Sequence, residues 1–102
     1  HPRIRLPVEA EYAKHVYHLY TVRVPRRDEI LKKLGERGIH CGIHYPIPVH
    51  LQEAYAFMGI PKGRFPISEQ CASETLSLPM FPELTEAQIT QAAEGLLDAL
   101  KN

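Results

Sequence analysis

A chain of 102 residues with 44% hydrophobic side chains makes one domain with a modest core, and its 12 basic and 12 acidic groups cancel. That balance removes the electrostatic grounds for binding nucleic acid or an anionic membrane, and no apolar run approaches the about 20 residues that span a bilayer. Cys41 and Cys71 are too few for a secreted disulfide scaffold and no signal peptide is visible, so reduced thiols in a cytoplasmic protein are expected.

Residues 1–13 carry the breakers Pro2 and Pro7 and are expected to be an irregular, poorly fixed connecting segment. A start at His1-Pro2 without methionine hints at a longer protein. Residues 14–102 are then the folded domain. Lys14 to Val24 reads as a strand, because Val16, Tyr17, Tyr20, Thr21, Val22 and Val24 favour extended backbone and Pro25 stops it. Arg27 to Arg37 reads as a helix with the stripe Ile30, Leu31 and Leu34, closed by Gly38 at C′. Ile39 to Tyr45 reads as a second strand, ended by Pro46. His50 to Phe57 reads as a short helix closed by Gly59, and 60–66 as a loop. Ser68 to Thr75 reads as a helix and Leu76 to Met80 as a strand. Thr85 and Gln88 make a capping box, with Leu84 set to staple onto Ile89. The helix that follows carries Ile89, Ala92, Ala93, Leu96, Leu97 and Leu100 on one stripe, weakened slightly by Gly95. The order β-α-β-α-α-β-α predicts an α+β fold: a small antiparallel or mixed sheet of about three strands backed by helices.

Chemistry concentrates between Gly38 and His50, where His40, His44, His50 and Tyr45 sit among Pro46 and Pro48. Prolines stiffen such a loop, and a stiff loop presents polar side chains well. A zinc site is disfavoured. The spacing H-C-x2-H-x5-H fits no standard pattern, and on a strand His40 and His44 would stand about 13 Å apart at roughly 3.3 Å per residue. Two readings remain: His44, Tyr45 and His50 line a polar pocket, or they merely cap the end of the sheet. Alternation along 14–24 places His18 and Tyr20 on one face and His15 and Tyr17 on the other, and His18 reads either as a satisfied core histidine or as a ligand contact. Ser68, Ser73 and Ser77 lack a nucleophile elbow, and Cys71 reads as a small packing residue. No phosphate-cradling glycine loop is present. Glu29, Glu36, Glu53 and Glu86 read as solvated helix faces.

Five segments together resemble a known family. His15-Val16-Tyr17-His18-Leu19-Tyr20-Thr21-Val22-Arg23-Val24 resembles the strand opening the C-terminal domain of the DegT/DnrJ/StrS enzymes, which are pyridoxal-phosphate-dependent sugar aminotransferases. The helix ending in Gly38-Ile39 is similar to their L-x-x-x-G-I segment, and Ile43 to His50 resembles their H-Y-P-x-P-x-H loop. Phe65-Pro66-Ile67-Ser68-Glu69 and Leu76-Ser77-Leu78-Pro79-Met80 resemble two further family segments. The likeness runs in order from about Ala13 to Leu100.

The resemblance implies the small C-terminal domain of a fold type I aminotransferase that works as a homodimer. It implies transfer of an amino group from glutamate to a nucleotide-linked keto sugar. His44, Tyr45, His50 and, less directly, His18 become substrate contacts. The Schiff-base lysine and the acid that holds the pyridine nitrogen belong to the large domain. Lys14, Lys32, Lys33, Lys62 and Lys101 match no such site, so this chain alone is expected neither to hold pyridoxal phosphate well nor to transaminate. Two alternatives stand beside this reading: a stand-alone α+β ligand-binding or regulatory module, and a dehydratase of the same family in which the lysine is replaced.

Overall fold

The computed structural model describes residues 1–101. Two strands, β1 (Tyr20–Arg23) and β2 (Thr75–Leu78), pair antiparallel with Tyr20 opposite Leu78 and Val22 opposite Leu76. Three α-helices accompany them: α1 (Arg27–Glu36), α2 (Pro66–Glu74) and α3 (Glu86–Ala99). The fold is α+β, but the sheet has two strands where about three were expected. The expected strand 39–45 contracts to one bridge, in which Gly42 and Ser77 exchange backbone hydrogen bonds of 2.9 and 2.8 Å. A four-residue β2 offers little edge to pair against before Pro79.

The expected strand 14–24 is likewise short, because only Tyr20–Arg23 meets a ladder partner. Tyr17 is left-handed at φ 49°, a conformation no strand continues through. Within the expected connecting segment 1–13, residues 3–5 contact the domain while most of 6–13 is exposed. Arg5 and Arg23 exchange two backbone hydrogen bonds of 2.9 Å, Ile4 packs against the core, and the Arg3 guanidinium donates to the Leu100 carbonyl.

Helix α1 ends in a Schellman motif. Gly38 sits at φ 75°, its N–H donates to the Gly35 carbonyl, and the Ile39 N–H donates to the Leu34 carbonyl at 2.9 Å. That turn throws Ile39 into the core beside Leu34. The expected helix 50–57 is instead two 3-10 segments, Val49–Leu51 and Glu53–Met58, the second closed by Gly59 at φ 62°. Helix α2 starts two residues earlier than expected, with Pro66 in its first turn, where the missing N–H costs nothing. Helix α3 begins with both bonds of the Thr85–Gln88 capping box.

The core is Val22, Val24, Ile30, Leu34, Ile39, Leu76, Leu96, Ala99 and Leu100, a cluster that joins the sheet to α1 and α3. Gly95 has a packing role the sequence did not suggest. A Cβ there would lie 2.4 Å from Ile39 Cδ1, so the glycine lets α3 come down onto Ile39. The stripe on α3 is only partly used: Leu96 and Leu100 are buried, while Ile89 and Leu97 remain exposed. Arg27 is buried at the other end of the core, where one guanidinium nitrogen donates to the carbonyls of Ala72 and Thr75 and ties α1 to the α2–β2 junction.

Candidate functional site

A cleft of about 670 Å³ opens between the 44–50 loop, the 3-10 segments and α2. Its walls are largely apolar, with Ile47, Val49, Met58 and Phe65 among them. His44, Tyr45 and His50 all line it. The loop therefore brings together three of the four site residues expected from the sequence. His18 is exposed, does not line this cleft, and has no side-chain hydrogen bond among the described residues.

The three cleft residues are held differently. His44 is exposed, and its Nδ1 is 2.9 Å from Ser77 Oγ. Ser77 Oγ in turn lies 3.1 Å from Thr21 Oγ1 across the ladder. Tyr45 is 72% exposed and stands edge-on to the His44 ring, with centroids 5.4 Å apart. Its hydroxyl makes no hydrogen bond among the described residues. His50 is the anchored member: its side chain is only 7% exposed, and its Nε2 is 2.9 Å from Glu69 Oε1. The same carboxylate oxygen accepts the Gly63 N–H at 2.7 Å, and Phe65 packs edge-on against the imidazole. The His50 hydrogen bond holds the Glu69 carboxyl below its usual range, helped by the Gly63 N–H and opposed by burial. His50 thus ties the 3-10 segment to α2 and shapes the cleft wall, a part that reading the loop by itself missed. Glu69 had stood in the family-like segment at 65–69, but nothing in its spacing pointed to His50.

No group of three or more His, Cys, Asp or Glu side chains gathers among the described residues. Cys41 packs against the core instead, and burial pushes its thiol up to about 11, which leaves it a poor nucleophile and a poor ligand at neutral pH.

The cleft does not fit pyridoxal phosphate by itself. No lysine or arginine lines it, so neither an amine for the aldehyde nor a cation for the phosphate is offered. Lys33 donates to the Ala99 carbonyl, Lys101 pairs with Asp98, and Lys62 borders a separate shallow depression. What the cleft offers is an apolar wall with an imidazole and a phenol at its mouth. No helix among the described residues is long and apolar enough to cross a membrane.

Comparison with known proteins agrees with this shape. A Geobacillus stearothermophilus protein described as a pleiotropic regulatory protein is 45% identical over 90% of this chain and 25% of its own length. The dTDP-3-amino-3,4,6-trideoxy-alpha-D-glucose transaminase of Streptomyces venezuelae is 44% identical over 93% of this chain and 25% of its own length. The crystal structure of S. venezuelae DesV superposes with a TM-score of 0.93 at 42% identity, covering 99% of this chain and 27% of that one. The chain thus spans about a quarter of the length of the curated relatives it matches. With residues 2–97 matching the model of that family, the chain belongs to the DegT/DnrJ/EryC1/StrS aminotransferase family.

Proposed function

We propose that this chain is the small C-terminal domain of a pyridoxal-phosphate-dependent aminotransferase that moves an amino group from glutamate to a nucleotide-linked keto sugar. Residues 14–102 form the domain, and residues 1–13 join it to a large domain that carries the cofactor and its lysine. The observation that carries the reading is the pairing of His44 and Tyr45 at the mouth of an apolar-walled cleft, in a chain akin to a dTDP-sugar transaminase. A nucleotide sugar presents apolar ring faces together with hydroxyls and phosphates. The apolar wall takes the former and keeps water away; His44 and Tyr45 hydrogen-bond the latter. His50 contributes by holding the wall in place through Glu69. His18 enters as an outer contact, to a substrate part extending past the cleft.

When bound, pyridoxal phosphate supplies the electron sink for amino transfer. No lysine or arginine lines the cleft, in keeping with a cofactor bound mainly by the large domain. This chain's own residues bind and orient the sugar. The working unit is a homodimer in the cytoplasm, in keeping with the two free thiols.

The test uses the full-length gene product with pyridoxal phosphate, glutamate and a panel of dTDP- and UDP-linked keto sugars. Formation of 2-oxoglutarate with one of them is expected. His44→Ala and Tyr45→Phe should each raise KM for the sugar several-fold and leave KM for glutamate unchanged. No amino transfer across the panel would overturn the reading, and release of a deoxy sugar without amino transfer would assign the dehydratase activity instead.

A further inference from the structure

His44 stands on an exposed loop, yet its ring is held by a buried hydroxyl. Ser77, 3% exposed, makes two kinds of contact with that loop. Its backbone exchanges hydrogen bonds with Gly42, and its hydroxyl meets His44 Nδ1 at 2.9 Å. One buried residue therefore pins both the loop's backbone and the ring it presents. Thr21, opposite Ser77 in the ladder, places its own hydroxyl 3.1 Å from Ser77 Oγ. Gly42 completes the seat: a Cβ there would lie 2.9 Å from His44 Cε1, so any side chain would press on the ring.

We infer that Ser77, backed by Thr21 and Gly42, is the positioning residue that fixes the His44 ring and leaves its Nε2 for the substrate. This rests on the substrate-contact reading of His44 given above. The hydroxyl relay serves either charge state of the ring. An imidazolium donates from Nδ1 to Ser77, which donates to Thr21. A neutral ring takes that same direction, or accepts at Nδ1 while Thr21 donates to Ser77. In every case Nδ1 is engaged inside the protein. Nε2, which has no partner among the described residues, is the atom that meets a ligand. A ring so held meets its ligand without first losing rotational freedom, which is how a buried neighbour raises affinity without touching the substrate.

The experiment is a double-substitution cycle in the full-length gene product, read by steady-state kinetics with a dTDP-linked keto sugar and by ¹⁵N NMR of the histidine rings. Ser77→Ala should raise KM for the sugar by about 2- to 10-fold, the range of a net hydrogen bond, while the half-reaction with glutamate keeps its rate. In a chain already carrying His44→Ala, the same substitution should change nothing further. Gly42→Ala disturbs the ring without touching the hydroxyl and should reproduce the pattern, so the outcome does not hang on one variant's folding. The His44 Nδ1 resonance should shift in Ser77→Ala. Equal effects of Ser77→Ala with and without His44, or an unmoved Nδ1 resonance, would overturn the inference. Should His44→Ala leave KM unchanged, the substrate-contact reading fails instead, and the NMR shift still decides the role of Ser77.

Discussion

Gly95→Ala tests the packing of α3 most directly. Replacing a helix-interior glycine by alanine ordinarily stabilises a helix by about 1 kcal/mol. Here the new methyl would lie 2.4 Å from Ile39 Cδ1, about 1.1–1.6 Å inside the roughly 3.5–4.0 Å at which carbon atoms attract. Ile39 is 6% exposed and has Leu34 and Leu96 as core neighbours, so its side chain can yield only by leaving its rotamer or pushing α3 outward. Overpacking of this kind costs about 1–3 kcal/mol. Set against the propensity gain, a net loss of about 1 kcal/mol is expected, a fall in Tm of about 4–8 °C for a domain of this size. Gly35 is the internal control: nothing lies within 4 Å of a Cβ there, so Gly35→Ala should stabilise by about 0.5–1 kcal/mol. Urea unfolding followed by circular dichroism separates the two. Ile39→Val, which removes the clashing Cδ1, should cost about 0.5–1.5 kcal/mol in the parent chain and much less in the Gly95→Ala chain. The reasoning fails if Gly95→Ala stabilises as much as Gly35→Ala, or if the two substitutions add without coupling.

Two further outcomes follow from polar contacts. Arg27→Met keeps much of the buried volume but strips the donors from two carbonyls, those of Ala72 and Thr75, and should cost about 2–4 kcal/mol in the same urea assay. Arg27→Lys should recover only part of the loss, since an ammonium lacks the planar fork. Glu69 has its folded-state pKa lowered, chiefly by the His50 hydrogen bond, so its contribution is complete at neutral pH, above the unfolded-state value. It fades as pH falls through the carboxylate range towards the lowered folded value. The stability gap between the parent and Glu69→Gln should therefore be widest near pH 7 and close in acid; a gap constant with pH would refute the assignment.

Helices α1, α2 and α3 were legible in the sequence because their signals are local, whereas the helix read over 50–57 formed as two 3-10 segments. The Thr85–Gln88 box and the turn at Gly38 need only neighbours along the chain, and both formed as read. The strands were overdrawn for the opposite reason. β-branched and aromatic residues from Lys14 to Val24 favour extended backbone, but strand length is set by the partner, and β2 supplies four residues. The loop at 44–50 could be singled out as a candidate site because its histidines and prolines are adjacent in sequence. The groups that hold it could not. Glu69 lies 19 residues from His50, and Ser77 lies 33 from His44, so both pairings arise only from the folded backbone. Ser77 looked like an ordinary strand residue, and Gly95 like a small defect in a good helix.

The two single bridges at the flanks of the sheet carry a last consequence. Arg5 sits against the outer edge of β1 and Gly42 against the outer edge of β2, so neither strand shows a full row of unpaired N–H and C=O groups. A two-stranded sheet is otherwise open to a foreign strand on both sides. Each guard is one residue wide and easily lost. A cut or substitution that frees the segment around Arg5 would turn β1 into a sticky border, and the first symptom would be self-assembly into larger particles rather than a drop in melting temperature.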